Sequence, residues 1–539
     1  MKLLGLLCCV AFAAATNTSL RTVWPKPMKA TTTGNYLQMD PSTFDFQATG
    51  EKSSILADSF ERYSRITFQK SEQTIAAGST GILEGMDVNV HSSDVSLGEN
   101  TDETYRLSIH AGRAKIDATT VYGAMHGLET FSQLVVQGLL VEETDIDDAP
   151  RFRFRATMID TSRHWYPVHT ILQHIDAMSY NKFNVLHWHL VDSVSFPYES
   201  TAFPLLAKTG AYSPSHTYTH DDVSLVVDYA MRRGIRVIPE FDTPGHVSAG
   251  YLAYPGILTE CYDKTGKPDG SFGPLDPTNN DVYDFMEKLM TEVKALFPDA
   301  YVHVGGDEVS FDCWQSNPNI TAFMKAHPEI KDYAGLESYY EVKLLKLLQE
   351  MNSSYICWQE IFDNGVAILP DTVVDVWKGG GWNDTIARVT KAGYRSVLSA
   401  PFYLNYISYG EDWPKYYQTE PLNFTCDKCD LSLVDGLEAC MWSEFVDATN
   451  ILPRFWPRAS AVGERAWSTE DTTDMDDASL RIHEMRCKMI ARGIPAEPAI
   501  NGGGGPPNHF CDKEWDPTTW VSSLTATEPN VAKYLWPSA

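Results

Sequence analysis

Two adjacent carboxylates, Asp307 and Glu308, close an apolar stretch that reads His303-Val-Gly-Gly-Asp-Glu-Val309. A strand that meets two glycines can leave its regular pleat and let a ligand approach the backbone. Adjacent side chains on an ideal strand point to opposite faces, so both acids can serve one pocket only where the strand is ending. An acid pair delivered in this way suits general acid–base chemistry.

Other chemically able residues recur at the ends of apolar, β-rich runs. The runs cover 154–160, 183–192, 235–242, 301–308, 355–362, 373–377, 397–403 and 437–444. In order, their ends carry Asp160 with Arg163, His189 with Asp192, Asp242 with His246, Asp307 with Glu308, Trp358 with Glu360, Trp377, Tyr403, and Trp442 with Glu444. Between the runs lie helical patterns: Val223, Val226, Val227 and Ala230 share one face, and Val282, Phe285, Met286, Leu289, Val293 and Leu296 share another that stops before Pro298. Eight strand–helix units with continuously apolar strands predict a parallel sheet closed into a (β/α)8 barrel, whose chemistry sits at the strand C-termini. The competing open, doubly wound sheet lacks its glycine fingerprint after the first strand.

On that barrel all the end residues converge on one mouth. Trp358, Trp377 and Trp442 suit a ring with apolar faces, such as a sugar, while Arg163 and Glu444 offer a fork of donors and an acceptor for its hydroxyls. Apolar walls of this kind raise a carboxyl pKa. His187 and His189 share one side of a strand and could ligate zinc with His246 and Asp307, but this leaves the three tryptophans unexplained, and packed, hydrogen-bonded histidines are the reading adopted. No metal and no cofactor is expected.

The chain has 539 residues, 43% of them hydrophobic, which is too long for one ordinary domain. Residues 16–150 read as a small α+β domain with a helix at 121–136, and 151–539 as the barrel with a C-terminal extension. The formal charge of −28 argues against nucleic acid as a partner. Residues 1–15 have the zones of a secretory signal, and no later run approaches the ~20 apolar residues of a membrane span. Glycosylation acceptors stand at Asn17, Asn319, Asn352, Asn383 and Asn423. In an oxidising compartment Cys426 and Cys429 read as a short local disulfide rather than half a metal site; Cys357 and Cys440, inside apolar runs, read as buried thiols. Gly502–Gly505 reads as a flexible loop.

The ordered motifs Asp160-Thr-Ser-Arg163-His, His187-Trp-His-Leu-Val-Asp192, Glu240-Phe-Asp-Thr-Pro-Gly-His246, His303-Val-Gly-Gly-Asp-Glu308, Trp358-Gln-Glu and Ala439-Cys-Met-Trp-Ser-Glu444 resemble the β-N-acetylhexosaminidases of glycoside hydrolase family 20, closest to the eukaryotic lysosomal and secreted branch. Trp24-Pro-Lys-Pro27 resembles the family's opening segment, and the likeness runs from about residue 22 to Cys511.

The resemblance implies exo-acting release of terminal N-acetylglucosamine or N-acetylgalactosamine from glycans, glycoconjugates or chitin fragments, with retention, through attack by the substrate's own acetamido oxygen. It implies Glu308 as general acid and base, Asp307 and Tyr403 as the residues that hold the acetamido group, and Arg163, Glu444, Asn405, Trp358, Trp377 and Trp442 as the sugar site. Asp192 and His246 are implied as partners that tune Glu308. It also implies a homodimer and the disulfides Cys261–Cys313 and Cys487–Cys511. Two departures stand out: Tyr406 occupies a position where the branch acting on negatively charged substrates has an arginine, and Ser193 replaces a second acidic residue after Asp192. The rival readings are a metal-dependent barrel hydrolase and a non-catalytic glycan-binding protein of the same fold.

Overall fold

The computed structural model describes residues 19–69, 79–136, 138–406, 408, 410–501, 511, 513–516, 518–520 and 524. The signal-like segment, Asn17 and Gly502–Gly505 lie outside the described residues. The first unit is a six-stranded mixed sheet: β1 Lys29–Met39, β2 Asp45–Ala48, β3 Gly81–Val90, β4 Tyr105–Ile109, β5 Gly112–Ala118 and β6 Leu140–Asp148, in the order β1-β6-β4-β5-β3-β2. Helix Val121–Leu134 starts where the Thr120 hydroxyl accepts from Gly123 N–H, and ends two residues earlier than its apolar pattern suggests, because Val135 turns extended. Every residue of this helix is buried, as befits an element covered on both sides, by its own sheet and by the barrel.

The barrel strands are β7 Phe154–Asp160, β8 Val185–Val191, β9 Arg236–Phe241, then, after a hairpin of β10 Leu258–Tyr262 and β11 Pro268–Leu275, β12 Tyr301–His303, β13 Ser354–Trp358, β14 Val373–Val376, β15 Arg395–Leu398 and β16 Val434–Met441. All eight pair in parallel and close in the order β12-β13-β14-β15-β16-β7-β8-β9. Closure rests on a long register between β16 and β7 and on the single pair His303–Glu240 between β12 and β9. Four predicted strand ends fall three or more residues short, among them that of β16, which stops at Met441 rather than at 444. β12 stops at His303 as the chain turns into positive φ at Gly305 and Gly306, β13 yields to a short helix at Gln359–Asp363, and β15 to a helical turn at Ala400–Phe402.

Side chains alternate along a strand, so inward positions can be read two apart. At the base lie Phe154, Ala156, Val185, Ile238, Tyr301, Ile356, Val373 and Val397, one apolar cluster around the ring. Two residues further on come His187, Glu240, His303, Trp358, Asp375 and Glu438, and two beyond those come His189, Asp242, Gly305, Trp377 and Cys440. The barrel is therefore oily at its base and charged above it.

The small domain is joined to the barrel by buried ion pairs. Asp148 takes the Lys182 ammonium at 2.9 Å with both side chains fully buried, Glu103 takes Arg155 at 2.5 Å, and Glu129 takes Arg492 at 2.8 Å. Burial alone would raise the Glu103 carboxyl, but Arg155 and His126 hold it down at about 2. A depressed carboxyl contributes stability that is present in full above its unfolded value near 4.5 and is lost as the pH falls towards 2. Glu103→Gln leaves Arg155 buried without its countercharge and is expected to cost about 3 kcal/mol or more at pH 7. Urea unfolding of both proteins from pH 7 to pH 3 checks this, with the difference narrowing at the acid end.

Candidate active site

The turn after β12 sets the geometry of the barrel mouth. Gly305 and Gly306 have φ of +72° and +89°. A Cβ on Gly305 would stand 1.8 Å from Asp242 Oδ1, and one on Gly306 2.3 Å from Ile361 Cδ1, so no other residue fits without displacement. Glu308 itself adopts φ +51°, a strained value for a residue with a side chain. The consequence is a pair of unlike acids: Asp307 is buried, whereas 62% of the Glu308 side chain is exposed in the mouth.

Burial raises the Asp307 carboxyl to about 6, and its neighbour Asp242, fully buried and close enough to share a proton, is raised further by burial and by the charge of Asp307. Asp242 Oδ1 also accepts Gly306 N–H at 3.0 Å, which pins the turn. Asp307 Oδ1 is buried and has no hydrogen-bond partner among the described residues; the same holds for Asn405 Oδ1. Two unanswered acceptors at one mouth call for a ligand that brings donors.

His246 reaches towards both acids, with Nε2 3.9 Å from Asp307 and from Glu308, while its Nδ1 faces Asp192 Oδ1 at 3.2 Å. Asp192 in turn takes Arg163 at 2.8 Å and His189 Nε2 at 3.0 Å. Burial opposes charge on His246, yet Asp192 and Asp307 outweigh it and raise its pKa.

The aromatic residues differ in station. Trp377 and Trp442 are half-buried walls, but Trp358 is only 1% exposed and forms the floor, 6.0 Å from Trp442. Glu360 orients Trp377 by accepting its indole N–H at 2.8 Å. Tyr403 stacks on Trp377 at 6.2 Å and 25°, and burial pushes its phenol well above the ordinary value, so it remains a donor. Arg163 lies 4.8 Å over the Trp442 ring. Glu444 is exposed on the rim. Asp160 is consumed by structure: it accepts backbone N–H from Ser162, Arg163 and Ser443 and so ties the end of β7 to that of β16.

The disulfide Cys261–Cys313 joins the β10–β11 hairpin to the segment just beyond Glu308. Cys426–Cys429 and Cys487–Cys511 are also bonded, and Cys357 and Cys440 are buried thiols. Asn319, Asn352 and Asn423 are exposed, whereas Asn383 is half-buried and donates to Asn423 O at 3.0 Å.

His187, Glu240 and His303 come together inside the barrel, as do His246, Asp307 and Glu308, in sets compact enough for a cation. A metal needs neutral imidazole. His187 and His189 each lie between two carboxylates that override burial and push their pKa values to about 10, so both are cations bound to acids. The four residues of the zinc reading, His187, His189, His246 and Asp307, do not form one compact set among the described residues: His187 groups with Glu240 and His303, and His246 with Asp307 and Glu308. Sequence reasoning gave no part to Glu240, Glu438 and Asp375, although a charge interrupting an apolar strand, as in Val-Val-Asp375-Val, was a legible signal.

A closed parallel barrel with two carboxylates of unlike burial beside aromatic side chains suits a sugar hydrolase. Residues 152–470 match the glycosyl hydrolase family 20 catalytic domain, and residues 23–134 match the domain described as beta-acetyl hexosaminidase like. The chain belongs to glycosyl hydrolase family 20. It is 45% identical to beta-hexosaminidase subunit beta of Felis catus over 95% of this chain and 98% of that one, and 44% identical to the Homo sapiens subunit beta over 89% of each. Among solved structures it resembles the chitobiase of Flavobacterium johnsoniae, with a TM-score of 0.78 and 29% identity over 88% of this chain and 73% of that one. The GH20 exo beta-N-acetylglucosaminidase of Vibrio harveyi in complex with N-acetylglucosamine shares the fold at a TM-score of 0.73 and 23% identity, over 89% and 78% of the two chains.

Gly305→Ala is expected to lower kcat/KM roughly 100-fold, since a displaced turn moves both acids by about 1 Å. Steady-state kinetics on an aryl N-acetylglucosaminide, alongside a thermal melt to establish folding, checks it.

Proposed function

We propose that this chain, a β-N-acetylhexosaminidase by its family and its relatives, removes terminal non-reducing N-acetylglucosamine or N-acetylgalactosamine with retention, by substrate-assisted catalysis. The observation that carries the reading is the buried, unpartnered Asp307 Oδ1 beside an exposed Glu308. An acetamido N–H answers that oxygen, and the Tyr403 phenol donates to the acetamido carbonyl. Held between them, the carbonyl oxygen attacks the anomeric carbon as the glycosidic oxygen leaves with the proton of Glu308. The resulting oxazolinium ring carries positive charge, which the Asp307 carboxylate stabilises. Water then attacks the same carbon, gives its proton to Glu308, and reopens the ring to the acetamide. A tethered nucleophile of this sort can have an effective molarity of about 10⁵ to 10⁸ M, so the protein needs none of its own.

Arg163, Glu444 and Asn405 serve the hydroxyls, with Trp377 and Trp442 as walls and Trp358 below. Asp192 and His246 set the charge beside Glu308. Tyr406, 60% exposed and stacked 5.9 Å from Tyr403, brings no cation, and the nearby Lys378 is already paired with Glu360 at 2.9 Å. Neutral substrates are therefore preferred over 6-sulfated ones. Among the described residues no helix is long and apolar enough to cross a membrane. The signal-like start, the acceptor asparagines and the three disulfides support a secreted or lysosomal protein, and the family resemblance supports a homodimer, which size-exclusion chromatography with light scattering tests.

Replacing the 2-acetamido group of an aryl glycoside by hydroxyl should abolish turnover; undiminished hydrolysis would sink the mechanism. Glu308→Gln should cost roughly 10²- to 10⁴-fold on alkyl glycosides and far less on nitrophenyl ones, which leave without a proton. Asp307→Asn should cut kcat with little change in KM, because the charge it meets develops after binding, and should flatten the acid limb of the pH–rate profile, where the raised carboxyl takes up its proton. Activity that survives a chelator removes the metal-dependent rival.

A further inference from the structure

The motif containing His246 begins with an acid that no catalytic step has used. Glu240, on β9, is fully buried at the centre of the charged layer. Its Oε1 accepts the Trp358 indole N–H at 2.7 Å and lies 3.4 Å from His303 Nδ1. Its Oε2 accepts His189 Nδ1–H at 2.6 Å and is in ionic contact with His187 Nε2 at 2.9 Å. One carboxylate thus holds the floor of the sugar site and the inner end of a relay. The relay continues through His189 to Asp192, through Asp192 to His246, and across 3.9 Å to Glu308.

We propose that Glu240 is a positioning residue for the reaction: it fixes the Trp358 indole under the sugar and, through His189 and Asp192, orients and charges the His246 imidazole that faces Glu308. The inference rests on the reading of Glu308 as the acid. Electrostatics support it independently of the contacts. Burial opposes charge on Glu240, but the charges of His189 and His303 and the hydrogen bonds from His187 and His189 draw it well below the ordinary carboxyl range, and its charge helps hold His189 at about 10. Of the other groups facing it, His303 is lowered by burial against the charge of Glu240 itself, Asp375 and Asp242 are raised by burial and by neighbouring acids, and Cys440 is raised likewise. Glu438 is answered by His187 Nδ1 at 3.0 Å. Removing the Glu240 charge therefore takes away the anion in direct contact with His189 and lowers the proton affinity of that imidazole and, through Asp192, of His246.

The test compares Glu240→Gln, Glu240→Asp and Glu438→Gln in the full chain. Glu240→Gln keeps an acceptor and loses the charge. It should lower kcat/KM about 10-fold or more on alkyl glycosides and move the alkaline limb of the pH profile to lower pH by about half a unit or more. Glu240→Asp keeps the charge but shortens the reach to Trp358; it should restore the limb while KM stays raised. Glu438→Gln, which touches neither Trp358 nor His189, should leave the limb in place. Equal losses in Glu240→Gln and Glu438→Gln with an unmoved limb would reduce Glu240 to a packing role and overturn the proposal. Should Glu240→Gln fail to fold, an unmoved KM in Glu240→Asp would overturn it instead. Glu308→Gln is run alongside: if its losses do not depend on the leaving group, the reading of the acid has failed, whereas a normal Glu308→Gln with an unmoved limb in Glu240→Gln condemns this inference alone.

Discussion

A charge inside a protein persists only when another answers it, and the interior of this barrel is organised by that constraint. Above an apolar base, His187, His189 and Glu240 hold one another, with Glu438 and Asp192 at the two ends of the chain they form. Strand alternation brings these side chains to one level, and the parallel register keeps them there. Because each partner is also a lock on its neighbour's orientation, the layer forms a rigid bed. The tryptophan floor and the histidine beneath Glu308 inherit their positions from it.

The mouth adds what the bed cannot provide. Two glycines in left-handed backbone let β12 end abruptly, so that consecutive residues, which a strand would send to opposite faces, both come within 3.9 Å of the His246 imidazole. One acid is pulled down to meet Asp242 and the other stands out in the opening, and this difference in burial separates their chemistry. The strain at Glu308 is borne by a turn held through Gly306 N–H and by the disulfide just beyond it.

Much of this was legible in the chain. Eight apolar runs gave the barrel because parallel strands buried on both faces show no polar alternation. The residues at their ends gave the mouth because that fold has only one place for them. Strand lengths were overread where a catalytic turn follows the strand, since glycine and short-range helical turns there carry apolar residues that continue the pattern, as at 355–362 and 397–403. Trp358 was taken for a wall, yet it lies below the pocket, a distinction of depth that linear spacing does not encode. The burial of Asp242 against Asp307 and the interior acids were missed because their partners sit on different strands, up to 251 residues apart in the case of His187 and Glu438.

The seam between the small domain and the barrel is made of the same material as the barrel's own interior. Lys182, Arg155 and Arg492 on the barrel side have their countercharges on Asp148, Glu103 and Glu129. Cutting the chain between the domains would leave three sequestered cations with no anion to face. The N-terminal domain thus acts as the counterion of three buried cations on the barrel, and a truncation that removes it strips them of these partners.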